Sequence, residues 1–329
     1  MALSVAAEAL RGSPALDAYL CLAEELVADA PRDGWDGWRG GHGLRGLGRL
    51  AVGDRSGFEI DQVACARIGT EGRYWFFSWQ AAMWKATLAL LDGRFAEVES
   101  LAAAARDLAR VPRDDIYLRQ LFRLRVELGE PGAAFDLASR MDPGNEIHRS
   151  MLTSALAERD GVEAHRARME AFVTESLDHS RPERVPVTLA YRAEVAVSLG
   201  NAEAATALYE NLLPYRGQVV VGGMGEGCMG AADRYLGMLT AAAGRKVQAE
   251  AHFQAALALE TGMSATALVA RTNHWYGRML VGDGHGDAAR GRELLAASLT
   301  VADALGMAGL ASASGRILAT TYTASTEGR

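Results

Sequence analysis

The segment VVVGGMGEGCMGAADRYLGML, residues 219–239, is where residue types and spacing come nearest to a chemical motif. Gly225, Gly227 and Gly230 stand as G-x-G-x-x-G behind Val219-Val220-Val221, and Glu250 follows farther along. In a dinucleotide-binding fold such glycines let a pyrophosphate reach a helix N-terminus, with the acidic residue on the ribose. That chemistry needs parallel β-α-β units around the motif, and the flanking sequence here reads as helix. A glycine-rich joint leading into a helix is the preferred reading. The alternative is a nucleotide-binding enzyme built on Val219–Gly230.

The other constellations point less sharply to chemistry. His42, His148, His165, His179, His252, His274 and His285 fall in no H-E-x-x-H or comparable ligand spacing. Asp114-Asp115 and Asp283-x-His285-x-Asp287 have the residue types of a cation site, but helix caps and solvated turns account for both. No G-x-S-x-G elbow, phosphate-binding Gly-Lys-Ser/Thr loop or paired carboxylates are present. The sequence therefore predicts no catalytic residue, no cofactor and no metal. The aromatic run Tyr74, Trp75, Phe76, Phe77, Trp79 and Trp84 divides between helix faces and reads as core packing.

Composition sets the frame for these residues. A chain of 329 residues with 49 % apolar and 23 % charged residues folds rather than staying disordered. Only 8 prolines occur, among runs of Ala, Leu, Glu and Arg, which favours helix over most of the length. The net charge of −7 argues against a general nucleic-acid or anionic-membrane surface. Cys21, Cys65 and Cys228 are too scattered for a metal site and read as buried free thiols in a reducing compartment. The start, MALSVAAEALRGS, carries Glu8 and no basic run, unlike a secretory signal. No stretch reaches the ~18 apolar residues of a membrane span. The expected location is the cytoplasm.

The elements that must position any site are helical pairs. In Ala231–Glu260, Leu236-Gly237, Gly244, Ala249, Phe253 and Ala256-Leu257 stand at the offsets of two crossing helices. This resembles a tetratricopeptide repeat (TPR), with Thr261 where the closing Pro usually stands. Similar pairs turn at Gly93, Gly129, Gly161, Gly200 and near Gly284, with Gly161 the poorest match. Their intervals are longer and less regular than the ~34 residues of the strict repeat. The expected fold is all-α, a TPR-like α-solenoid of stacked antiparallel hairpins forming one domain over residues 1–329. Within it, residues 1–69 are divergent N-terminal helices with a Gly-rich loop at 32–57, from which Trp35 and Trp38 fold back on the helices. About six hairpins follow over 70–307, then a capping helix at 308–322 and a frayed tail at 323–329. The joints at His179–Pro182 and Pro214–Gly230 are where the stack bends.

In TPR stacks the first helix of each pair lines a concave surface. Carried onto this chain, the inward positions are Gln80, Met83, Trp84 and Thr87, then Arg119, Gln120 and Arg123, then Tyr191 and Glu194. Arg234, Tyr235 and Met238 follow, and the last pair contributes Arg271, His274, Trp275 and Arg278. Five arginines with aromatics on one inner face of an acidic protein suit a carboxylate or phosphate. Trp84, Arg119, Arg123, Tyr191, Arg234, Tyr235, Arg271, His274, Trp275 and Arg278 are thus the candidate groove for an acidic protein or peptide partner, or an anionic small-molecule effector. The alternative is that these arginines pair internally with carboxylates of neighbouring repeats.

The segments Arg234–Gly237, Ala249–Leu259 and Ala289–Met307, with Trp79–Ala102, look like the C-terminal helical-repeat region of LuxR-type and related ATPase-linked bacterial transcriptional regulators. ATPase-containing adenylate cyclases carry a similar region. The resemblance spans roughly residues 70 to 310 and implies a regulatory arm. The ATPase, cyclase and helix-turn-helix motifs of those families are missing from this sequence. The expectation is a non-enzymatic interaction or effector-sensing module in bacterial signalling, with a small-molecule-sensing arm or the nucleotide-binding enzyme as alternatives.

Overall fold

The computed structural model describes residues 12–28, 40–175, 186–282 and 287–327, with positions 6 and 10. The protein is all-α: sixteen α-helices and a single two-stranded hairpin lie among the described residues. The helices are α1 (Leu16–Ala28), α2 (Gly41–Ala51), α3 (Arg55–Glu71), α4 (Trp75–Asp92), α5 (Phe95–Leu108) and α6 (Asp114–Leu128). Next come α7 (Pro131–Ser139), α8 (Glu146–Asp160), α9 (Arg166–Thr174), α10 (Pro186–Leu199) and α11 (Ala202–Leu212). Strands β1 (Val219–Val221) and β2 (Cys228–Ala231) precede α12 (Ala232–Ala242), α13 (Lys246–Gly262), α14 (Thr266–Val281), α15 (Ala288–Leu305) and α16 (Ala308–Glu327).

Consecutive helices pack as antiparallel pairs, and the turns explain why. Gly93 and Gly129 adopt φ of 72° and 74° and send their amides back to the ends of α4 and α6. A left-handed cap of that kind ends one helix and starts the next at no steric cost for glycine. At the α12–α13 crossing, Gly237 lies under the Phe253 ring: a Cβ there would come within 2.9 Å of it. Helices with even numbers face inward and touch their even-numbered neighbours, α4 with α6, α8 with α10, and α10 with α12.

In a strictly one-dimensional stack each repeat touches only its neighbours. This chain curls further, because α14 returns to α4 and α16 returns to α6. One buried cluster joins Ala89, Val98 and Leu124 to Ala267, Ala302, Met307 and Leu310, residues from opposite ends of the chain. Gly129 lies so close to Gly309 that a Cβ on it would meet the Gly309 amide at 2.2 Å. The inner helices therefore enclose their concave side.

Two segments differ from the sequence expectation. The Gly-rich loop expected at 32–57 holds helix α2 and the start of α3. The glycines of α2 serve close packing: a Cβ at Gly46 would come within 2.7 Å of Trp84, at Gly43 within 2.8 Å of Gln80, and at Gly48 within 2.5 Å of Leu20. The joint expected at Pro214–Gly230 contains the β-hairpin, in antiparallel register Val219↔Ala231 and Val220↔Gly230 with a bulge before Val221↔Cys228. Smaller departures follow. α16 runs on through Glu327, past the expected tail start, and Cys21 is exposed whereas Cys65 and Cys228 are buried. Trp35, Trp38, the His179–Pro182 joint, the Gly284 turn and the Asp283-x-His285 pair lie outside the described residues. No helix among the described residues is long and apolar enough to cross a membrane.

Candidate functional site

The β-hairpin enters the enclosed concave side and is held there by the residues that face it. β1 contacts α2 and α10, and β2 contacts α12 and α13. At the tip, Gly222 and Gly227 close the turn with a 2.8 Å amide–carbonyl bond. Trp84 Nε1 donates to the Met224 carbonyl at 2.8 Å, and Thr87 Oγ1 donates to the Gly225 carbonyl at 2.7 Å. Both donors sit one turn apart on the inward face of α4. Gly225 has φ of 81° and lies against the Trp84 indole, where a Cβ would come within 2.5 Å. The close approach that the glycine motif permits is thus made to the chain's own indole.

The tip carries Glu226, which is 3 % exposed. Its carboxylate accepts from Arg119 Nη1 at 2.8 Å and from the Met224 amide at 2.8 Å. Arg119 is shared: Nη2 donates to Asp115 at 3.2 Å and Nε donates to His148 Nε2 at 3.1 Å. His148 must present an unprotonated Nε2 to accept that bond. Burial and the neighbouring Arg119 hold its pKa below the ordinary histidine range.

A half-open cleft, about 380 Å³ with the open solvent at its mouth, lies between this tip and helices α6, α8 and α10, with Arg119, Arg123, Met151, Tyr191, Glu226 and Met229 on its walls. A second, of about 410 Å³, opens on the far side of Arg123 and Tyr191 and includes Glu158, Glu194 and Arg271. Burial pushes Glu194 up, against the pull of Arg123. Between the clefts, Glu127 receives Arg123 on one oxygen and Arg271 Nε on the other at 2.8 Å. Burial works against that carboxylate, yet the two guanidiniums prevail and hold it at about 2.

Deeper still, Arg234 lies under the hairpin. It donates to Glu260 at 3.2 Å, to the Tyr235 hydroxyl at 2.9 Å and to the Met229 carbonyl. Tyr235 also donates to Met229 O at 3.0 Å, using the carbonyl that the strand bulge turns inward. Glu260 takes the Ala231 amide at 2.9 Å and Thr272 Oγ1 at 2.6 Å as well. Such a saturated buried pair is a structural anchor, since removing one partner of a buried ion pair costs about 3–5 kcal/mol.

The candidate groove residues therefore divide. Arg119, Arg123 and Tyr191 share the first cleft, and Arg123, Tyr191 and Arg271 the second. Trp84, Arg234 and Tyr235 lie fully buried beneath the hairpin. His274 is buried with its Nδ1 2.9 Å from Ser314 Oγ, and Arg278 stacks 4.9 Å over Trp275, apart from both clefts. The carboxylates Glu127, Glu226 and Glu260 escaped sequence reasoning, although Glu226 stands inside the glycine motif. His252 is buried with its Nδ1 2.7 Å from Asp233. Among the described residues no three His, Cys, Asp or Glu side chains gather as a metal site. Searched against known families and curated proteins, the chain matches no family model and no curated sequence.

Proposed function

We propose that this protein is a non-enzymatic helical-repeat binding module whose inner cleft receives a carboxylate in place of Glu226. The observation that supports this reading is the 2.8 Å contact of Glu226 with Arg119 on the wall of the 380 Å³ cleft. A short loop delivers that carboxylate, and a competing anion has only the loop tip to displace. Arginine forks favour planar oxyanions, and Tyr191 and Met151 offer apolar area beside them. The ligand is an acidic peptide segment of a protein partner or an anionic small effector.

The TPR-like pairs and the resemblance to the repeat arms of LuxR-type regulators support a place in bacterial signalling, in the cytoplasm. A labelled pentaglutamate peptide, followed by fluorescence anisotropy, tests the binding step. Glu226→Gln should bind it at least tenfold tighter than the wild type, because the internal competitor is lost. Arg119→Gln should lose the signal. An absence of saturable binding to Glu226→Gln overturns the reading.

A further inference from the structure

The hairpin formed by α8 and α9 departs from the others in a way that opens a separate cavity. Gly161 leaves α8 with φ 82° and ψ 150°, whereas Gly93 turns with φ 72° and ψ 16°. The second helices of other pairs place a buried alanine at the crossing, Ala205 in α11 and Ala249 in α13. At the matching offset from Gly161 stands Arg166. An arginine there cannot be enclosed at the distance an alanine allows. The two helices diverge, and a half-open cavity lies between them and α10, about 540 Å³ with the open solvent at its mouth.

Successive turns of both helices line this cavity: Glu146, Arg149 and Thr153 from α8, and Arg168, Phe172 and Glu175 along α9 and just past its end. Arg192 of α10 forms the floor, 3 % exposed. It is engaged by Glu146 at 3.0 Å, with Glu175 at 3.8 Å, and lies 4.9 Å over the Phe172 ring. Arg149 and Arg168 differ from it. Neither pairs with a carboxylate among the described residues, and Arg149 Nε is buried without a hydrogen-bond acceptor. A buried guanidinium nitrogen needs a hydrogen-bond acceptor, and an anion held in the cavity would supply one.

We propose that this cavity binds a small phosphate-bearing molecule, with its phosphoryl group on Arg149 and Arg168. Two guanidiniums without protein partners match a group carrying about −1.5 to −2 at neutral pH, whereas a single carboxylate neutralises only one of the two charges. Phe172 supplies an apolar wall for the remainder of the ligand. The site lies apart from the Arg119 cleft and shares no lining residue with it.

Isothermal titration of the full chain with inorganic phosphate, in a low-salt HEPES buffer near pH 7.5, is the test. The wild type should show one saturable site. Arg149→Gln and the exposed Arg168→Gln should each weaken it at least tenfold, while Arg119→Gln leaves the affinity within twofold. Because Arg168 is exposed, its loss leaves the fold intact and gives a clean reading even where Arg149→Gln lowers stability. Absence of saturable heat, unchanged affinity in Arg168→Gln, or succinate binding in place of phosphate overturns the proposal.

Discussion

Arg119 and Arg234 carry the same side chain and face the same enclosed space, yet their surroundings give them different work. Arg234 is fully enclosed by Glu260, Tyr235 and the Met229 carbonyl, all within its own end of the stack. Arg119 remains half-buried and takes its closest carboxylate from a loop tip. Only the second arrangement leaves a guanidinium that another anion can reach. His274 sets a further residue-scale consequence. Burial first, then Arg278 and Arg271, lower its pKa from 6.5 to about 4. The unfolded chain therefore binds a proton that the folded chain refuses across that interval, so stability is complete above pH 6.5 and falls as pH drops towards 4. The loss should be on the order of 2–3 kcal/mol, and His274→Gln should remove most of that slope. Urea unfolding at pH 7 and pH 4.5 measures it; equal slopes in the two proteins would exclude His274 as the cause.

At the scale of elements, the turn glycines were legible because a left-handed cap has a strong residue preference, and the spacing of Gly93, Gly129, Gly200 and Gly244 marks real helix pairs. Helix α2 was not legible. Each glycine in a helix interior costs about 1 kcal/mol against alanine, so GHGLRGLGRLA reads locally as loop. Tertiary contact reverses that preference, since Gly46 and Gly48 admit Trp84 and Leu20 at distances no other residue allows. Gly46→Ala should therefore destabilise the protein by about 1–3 kcal/mol despite its better helix propensity, because Trp84 is fully buried and cannot move aside. Gly132→Ala, where nothing lies within 4 Å of the new methyl group, should be neutral or stabilising. Thermal unfolding of the two variants checks the contrast, and a Gly46→Ala protein as stable as the wild type would refute the packing argument.

For the whole molecule, four residues of the expected groove, Arg119, Arg123, Tyr191 and Arg271, line a cleft. What fills the inner face was not legible, because each contact joins residues far apart in the chain: Trp84 with Met224, Arg119 with Glu226, Glu127 with Arg271. Among 41 acidic residues nothing local marks Glu127 or Glu226. The curl that brings α14 to α4 and α16 to α6 is likewise a sum of small angles between pairs, invisible in any one of them. Its effect is to turn an open groove into clefts whose arginines are already paired, and in the proposed reading the hairpin tip is the competitor resident on Arg119. Hydrogen exchange of the Gly222–Gly227 amides, with and without saturating pentaglutamate, tests that claim most directly. The peptide should displace Glu226 and speed exchange at Met224, whose amide donates to that carboxylate, and at Gly222 and Gly225, whose amides bond within the tip. Bound peptide with unchanged or increased protection at these amides would contradict that displacement.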